Sequence, residues 1–147
     1  MTVYCLNQDV IDRLSSVGIL YCTDDDQSGT TGASETALIT DAVESVSAVI
    51  DGYLTTVIET VPIVQTSTTL NRWLRDRCVD LACERLCGRK GKSVVGSIRA
   101  TADWARNELE KVQNKEMRVP GLTYPGDGFV NERHQIGRPV VANPCSR

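Results

Sequence analysis

The chain has 147 residues, enough for one domain with a modest core and an appendage. Hydrophobic content of 41% and charged content of 24% are ordinary for a soluble protein, and a net charge of -3 argues against holding nucleic acid mainly by phosphate neutralisation. No apolar run approaches the ~18 residues of a membrane span, and MTVYCLNQDV lacks the basic-then-apolar pattern of a signal peptide, so membrane insertion and secretion are not expected.

Residues 1–6 are short and apolar, suited to lying along the body or pairing with a neighbour. Asn7 is the expected cap of a short helix, QDVIDRLSSV, with Val10, Ile11 and Leu14 on one side and Gly18 ending it. Ile19 to Cys22 then read as a buried connector. The polar loop TDDDQSGTTGASE follows. Against the calcium-loop pattern it offers Asp24, Asp26, Ser28, Gly29 and, at the twelfth position, Glu35. Thr31 stands where an aliphatic residue is usual, VGILYC is a poor entering helix, and no second loop occurs. A solvated turn that ends by capping the next helix is therefore the stronger expectation.

That next helix, 34–57, is the expected organiser of the fold. Leu38, Ile39, Ala42, Val43, Val46, Val49, Ile50, Tyr53, Leu54 and Val57 recur at gaps of three and four, which make one helical stripe and do not fit strand alternation. Ser34 is the expected cap, and Glu35 places a carboxylate near the positive end of the helix dipole. The polar face, including Asp41, Glu44, Ser47 and Asp51, carries no lysine or arginine.

A break around 59–69 contains Pro62, with Ile63 and Val64 as anchors to the core. The third helix, TLNRWLRDRCVDLACERLCG, is expected to be capped by Thr68 or Thr69 and closed by a left-handed Gly88. Leu70, Leu74, Cys78, Leu81, Ala82 and Leu86 make its buried stripe. Arg72, Arg75, Arg77 and Arg85 make a basic outer face, read as solvated or ion-paired within or between subunits in preference to nucleic acid. GRKGKS lacks the spacing of a phosphate loop and reads as a turn, with Ser93 capping a fourth helix. There Val94, Val95, Ile98, Ala102, Ala105, Leu109 and Val112 point inward and Trp104 lies off the stripe as a contact anchor. Charges from Arg106 onward suggest that the end of this helix leaves the core.

Six cysteines do not make a disulfide framework or a zinc site on this reading. Cys83 and Cys87 are i,i+4 neighbours with divergent directions, no CxxC occurs, and His134 is distant. They read as reduced cysteines serving as small core hydrophobes. From Arg118 four prolines forbid helix and central strand alike, while scattered apolar residues remain. Tyr124, Phe129, Val140 and Val141 are the expected partner-binding anchors of an arm that orders on another protein's surface. The expectation is all-α: a small four-helix bundle over 1–117 with a long extended C-terminal arm over 118–147.

The run Leu38-Ile39-Thr40-Asp41-Ala42, then Val49-Ile50-Asp51-Gly52-Tyr53-Leu54, resembles the signature helix of small head–tail adaptor (connector) proteins of tailed bacteriophages and Mu-like prophages. The polar loop from Asp24 to Gly32, Pro62, the set Leu74-Arg75, Asp80, Ala82 and Leu86, and the pair Ala105 and Leu109 are similar to that family's other features. The resemblance covers about residues 4–115. The chain departs from the pattern at Thr55-Thr56-Val57, where a basic-aromatic pair is usual, and in its longer tail. The resemblance implies a homo-oligomeric ring, typically of twelve copies, made in the host cytoplasm and docked in the virion neck under the portal protein. Such a ring extends the DNA channel and offers its other side to a tail completion or stopper protein. Arg75 and Arg77 would then pair with the acidic helix of a neighbouring subunit.

A calcium-binding interaction module using Asp24 to Glu35 is the alternative, and a DNA-binding regulator using the arginine face a weaker one. No enzyme, cofactor or resident metal is expected: His134 stands alone among prolines and no nucleophile is followed by a plausible base.

Overall fold

The structure is a computed structural model, and it describes residues 3–25, 27–58, 63, 67–89, 94–122 and 124. Four helices occur in it, α1 (Asn7–Thr23), α2 (Ala33–Leu54), α3 (Thr68–Cys87) and α4 (Gly96–Gln113), and no strand occurs among the described residues. The all-α four-helix expectation holds. Helix α3 packs on the other three, and α2 also touches α1 and α4.

Helix α1 is longer than its sequence suggests. It runs through Gly18 and the supposed connector, and it begins after Leu6, whose N–H donates to Asp9 at 2.8 Å. Asn7 is inside the helix, and its amide donates to Thr40 Oγ1 at 2.8 Å, tying α1 to α2. At Ser15 the backbone leaves helical geometry (φ 65, ψ 164), in a region where a side chain is strained. The Ser15 hydroxyl accepts from the Gly18 N–H at 3.4 Å, so it acts as an internal cap and a second helical run starts behind it. That restart carries Ile19 and Cys22 into the core on helix.

Helix α2 shows most of its expected stripe. Ile39, Ala42, Val43, Val46, Ile50 and Leu54 are buried, Leu38 and Tyr53 are partly buried, and Val49 is 48% exposed. Gly32, not Ser34, precedes the first turn, and its N–H donates to Glu35 at 2.7 Å, which places the carboxylate at the positive end of the dipole. Ser47, expected outside, is buried. It donates to the Val43 carbonyl at 2.8 Å and accepts from the Tyr4 N–H at 3.2 Å. Tyr4 in turn donates to Asp51 and accepts from the Ile63 N–H at 3.2 Å, and burial raises its phenol pKa. These bonds hold the N-terminal segment along the body.

The organiser of the fold is α3, which corrects the role expected of α2. Twelve of its 20 residues are buried, against eight of 22 in α2. Every expected core position is buried, and so are Trp73, Arg77, Val79, Asp80, Cys83 and Cys87. Each fully buried leucine contributes about 1.5–3 kcal/mol by leaving water, and Leu70, Leu74 and Leu86 are all at 0% exposure. Ser67 is the cap, accepting from the Leu70 N–H at 3.1 Å in place of Thr68 or Thr69. Gly88 closes the helix in right-handed geometry (φ -78), not the left-handed one expected.

On α4, Ala102, Ala105, Leu109 and Val112 are buried as expected, whereas Val95 precedes the helix and is 57% exposed. The charged end of α4 stays on the core, contrary to expectation. After Asn114 the chain reverses through Lys115 (φ 62), and the N–H groups of Glu116 and Met117 return to the Lys111 carbonyl. The core therefore continues past 117: Val119 is buried and Leu122 packs against it. Gly121 (φ 77) lies so close to the start of α3 that a Cβ there would sit 2.5 Å from Ser67 Oγ and 2.8 Å from Leu70 N. Only glycine fits that approach. Ser67 donates to the Gly121 carbonyl at 3.1 Å and completes the junction.

Candidate partner-binding surface

The candidate surface is the charged side of α3 with the parts of α1 and α4 that flank it. Arg75 and Arg77 are two positions apart on a helix, roughly 200° around the axis, and their surroundings differ accordingly. Arg75 is exposed, its side chain 49% accessible, with a loose pair to Asp76 at 3.6 Å. Arg77 is not on the outer face where the sequence put it. Its Nε donates to Glu108 of α4 at 2.6 Å, and its guanidinium stacks 3.9 Å from the centre of the Trp104 ring. The centre of the Trp73 ring is 5.7 Å from the same guanidinium. Trp104, expected as a contact anchor, is 53% exposed and uses one ring face to cover this arginine.

A second ion pair joins α1 to α3, Arg13 to Asp80 at 2.8 Å. Asp80 is buried, and desolvation raises its pKa despite the opposing pull of Arg13 and Arg77. Between these elements lies an open cleft of about 570 Å³ lined by Asp9, Asp12, Arg13, Arg75 and Asp76, with Trp104 at its wall. Along α4, Arg106 binds Glu84 of α3 and Asp103 one turn back. Sequence reasoning missed the roles of Arg13, Asp80 and Glu108. The only signal available was Asp80 itself, a carboxylate between Val79 and Leu81 in an otherwise apolar run.

On α2 and α3 the exposed charges that remain differ in sign. Arg72 and Arg85 on α3, and Asp41 and Glu44 on α2, are exposed and join no ion pair among the described residues. Of the expected arm anchors, Tyr124 is half-buried on its own chain: its hydroxyl accepts from the Val119 N–H at 2.9 Å, and Arg118 lies over its ring at 5.4 Å. Phe129, Val140 and Val141 lie outside the described residues.

The calcium-like loop uses its carboxylates internally. Asp24 accepts from the N–H groups of Ser28 and Gly29 at 2.9 and 3.0 Å, and Asp25 pairs with Arg89 at 3.0 Å. Glu35, the twelfth position, is 3% exposed and caps α2. Asp26 lies outside the described residues. Among the described residues no group of three or more His, Cys, Asp and Glu is placed to hold a metal, and no helix is long and apolar enough to cross a membrane.

Comparison with known proteins gives the chain's family. No curated protein matches the chain. The model of the family described as "Bacteriophage Mu, Gp36" matches residues 4–125, spanning all four helices and the Gly121 junction, and the chain belongs to that bacteriophage protein family.

Proposed function

We propose that this protein is a structural head–tail adaptor of a tailed bacteriophage. In this reading copies form a ring in the virion neck under the portal protein, extend the DNA channel, and dock a tail completion or stopper protein. The observation that carries it is the family match over residues 4–125. The signature-helix resemblance of α2 and the opposite charges on the open faces of α2 and α3 agree with it. Arg72, Arg75 and Arg85 supply a basic face and Asp41 and Glu44 an acidic one, and a head-to-tail contact between copies brings two different faces together. The net charge of -3 suits a channel that DNA passes without being gripped. Of Arg75 and Arg77, only Arg75 is open to a neighbour. Phe129, Val140 and Val141 are the anchors proposed to reach the portal.

The test is an affinity pull-down of the tagged protein from phage-producing cells, with partners identified by mass spectrometry. A stoichiometric portal band is expected, and its absence together with that of any tail protein would overturn the reading. A truncation for the arm's role belongs after Tyr124 and not at Arg118, because Val119 and Leu122 are part of the core.

A further inference from the structure

Five of the six cysteines are described, and all five are buried as free thiols. Four of them meet in pairs between elements that are distant in sequence. Cys22 at the end of α1 places its sulfur 2.7 Å from that of Cys87 at the end of α3, across 65 positions of chain. Cys5, before α1, places its sulfur 3.1 Å from that of Cys78 in the middle of α3, across 73 positions. Packing as small hydrophobes does not account for this. Sulfur atoms in ordinary contact stand further apart, and a disulfide needs only an approach to ~2.05 Å. Cys83 is buried on the same helix and has no thiol partner of this kind among the described residues, so proximity there is selective.

We propose that Cys22 with Cys87, and Cys5 with Cys78, are two oxidisable pairs that close as intrachain disulfides and staple α1 and the N-terminal segment to α3. With hydrogen peroxide as oxidant, one thiolate attacks a peroxide oxygen and leaves a sulfenic acid and one water. The second thiol of the pair then displaces the sulfenic oxygen as a second water. Two S–H bonds are lost, one S–S bond forms, and peroxide takes up the two electrons and two protons. At the Cys5–Cys78 pair the geometry favours Cys78 as the attacking group. The Cys5 thiol donates to it, and this bond lowers the Cys78 pKa while Cys5 holds its own proton more tightly. Burial pushes the Cys83 thiol up to about 12, which keeps that residue a poor competitor. Both pairs are closed to bulk solvent, so reaction waits on local opening of the segments they join. In a reducing compartment the pairs stay open and the fold relies on packing alone. This inference rests on thiol geometry and is independent of the adaptor reading.

The test uses the purified full-length protein, reduced, treated with hydrogen peroxide, and digested under non-reducing conditions for peptide mapping by mass spectrometry. The expected result is loss of four of the six thiols and two linked peptides, Cys22–Cys87 and Cys5–Cys78. The melting temperature should rise by about 10 °C, since each bond closes a long loop, and a reductant should reverse the rise. Cys83→Ser should leave the pairing unchanged. Six thiols still titratable after treatment, or bonds made through Cys83 or Cys145, would overturn the proposal.

Discussion

Helices α2 and α3 are neighbours of similar length that handle polar residues in opposite ways. Helix α2 is amphipathic: its charges Asp41 and Glu44 face water and its aliphatic stripe faces inward. Helix α3 is covered on most sides, yet it carries four arginines and three carboxylates within its 20 residues. It can do so because α1 and α4 supply partners. Arg13 of α1 takes Asp80, Glu108 of α4 takes Arg77, and Arg106 of α4 takes Glu84. Asp41 and Glu44 on α2 are open to water or to a partner, while Glu35 and Asp51 of that helix bond within the chain; on α3 a charge is more often part of the packing.

The sharpest way to break this contrast is to truncate one charge from each helix. Arg77→Ala leaves Glu108 partly buried and unpaired and uncovers one face of Trp104. Loss of one partner from such a pair costs about 3–5 kcal/mol, whereas Glu44→Ala on the open face of α2 should stay within about 0.5 kcal/mol. Urea denaturation of the two variants measures both. If Arg77→Ala lost less than about 1 kcal/mol, the view of α3 as a helix held by internal ion pairs would be wrong.

The same contrast explains what could be read in the sequence. The stripe of α2 was legible because one periodicity separates core from solvent. Leu70, Leu74, Cys78, Leu81, Ala82 and Leu86 were legible on α3 for the same reason. What was lost was everything that depends on a partner elsewhere in the chain. Arg77 looks like an outer residue until Glu108 and Trp104 are placed beside it, and Ser47 looks like one until the Tyr4 N–H reaches it. The length of α1 was lost for a local reason. Glycine at 18 reads as a stop, but the break is at Ser15, and its hydroxyl restarts the helix. Of the candidate surface, Arg75 was placed correctly as exposed, and Tyr124 was not recognised as a residue that packs on its own chain.

The Arg13–Asp80 pair gives a smaller and pH-dependent effect. Asp80 already has a raised pKa because burial outweighs its cations, and Arg13→Ala removes the largest of the opposing attractions. In the variant the folded-state pKa rises further above the unfolded value of about 3.9. The folded form then binds more protons than the unfolded chain between those two values, so stability falls as pH rises through that window. Arg13 is half exposed, so the loss at pH 7 should be about 1 kcal/mol. It should shrink as pH falls below the unfolded pKa, where Asp80 is protonated in both states. Adding Asp80→Asn should remove the pH dependence. A loss that is the same at pH 4 and pH 7 would mean that Arg13 acts through packing of its stem alone.

The smallest expected effect on folding is at Arg75, and that is what makes it informative. Its side chain is 49% exposed and its pair with Asp76 is 3.6 Å long between groups of equal exposure, a geometry worth close to nothing in water. Arg75→Glu should therefore shift the urea midpoint by an amount equivalent to less than about 0.5 kcal/mol. Arg77 cannot serve the same purpose, since any change there confounds assembly with stability. If Arg75→Glu folds like the parent chain and also co-purifies with the same partners, Arg75 is solvated surface and the contact does not use it. If it folds normally and loses them, Arg75 is one of the charges outside the bundle that a neighbouring protein reads.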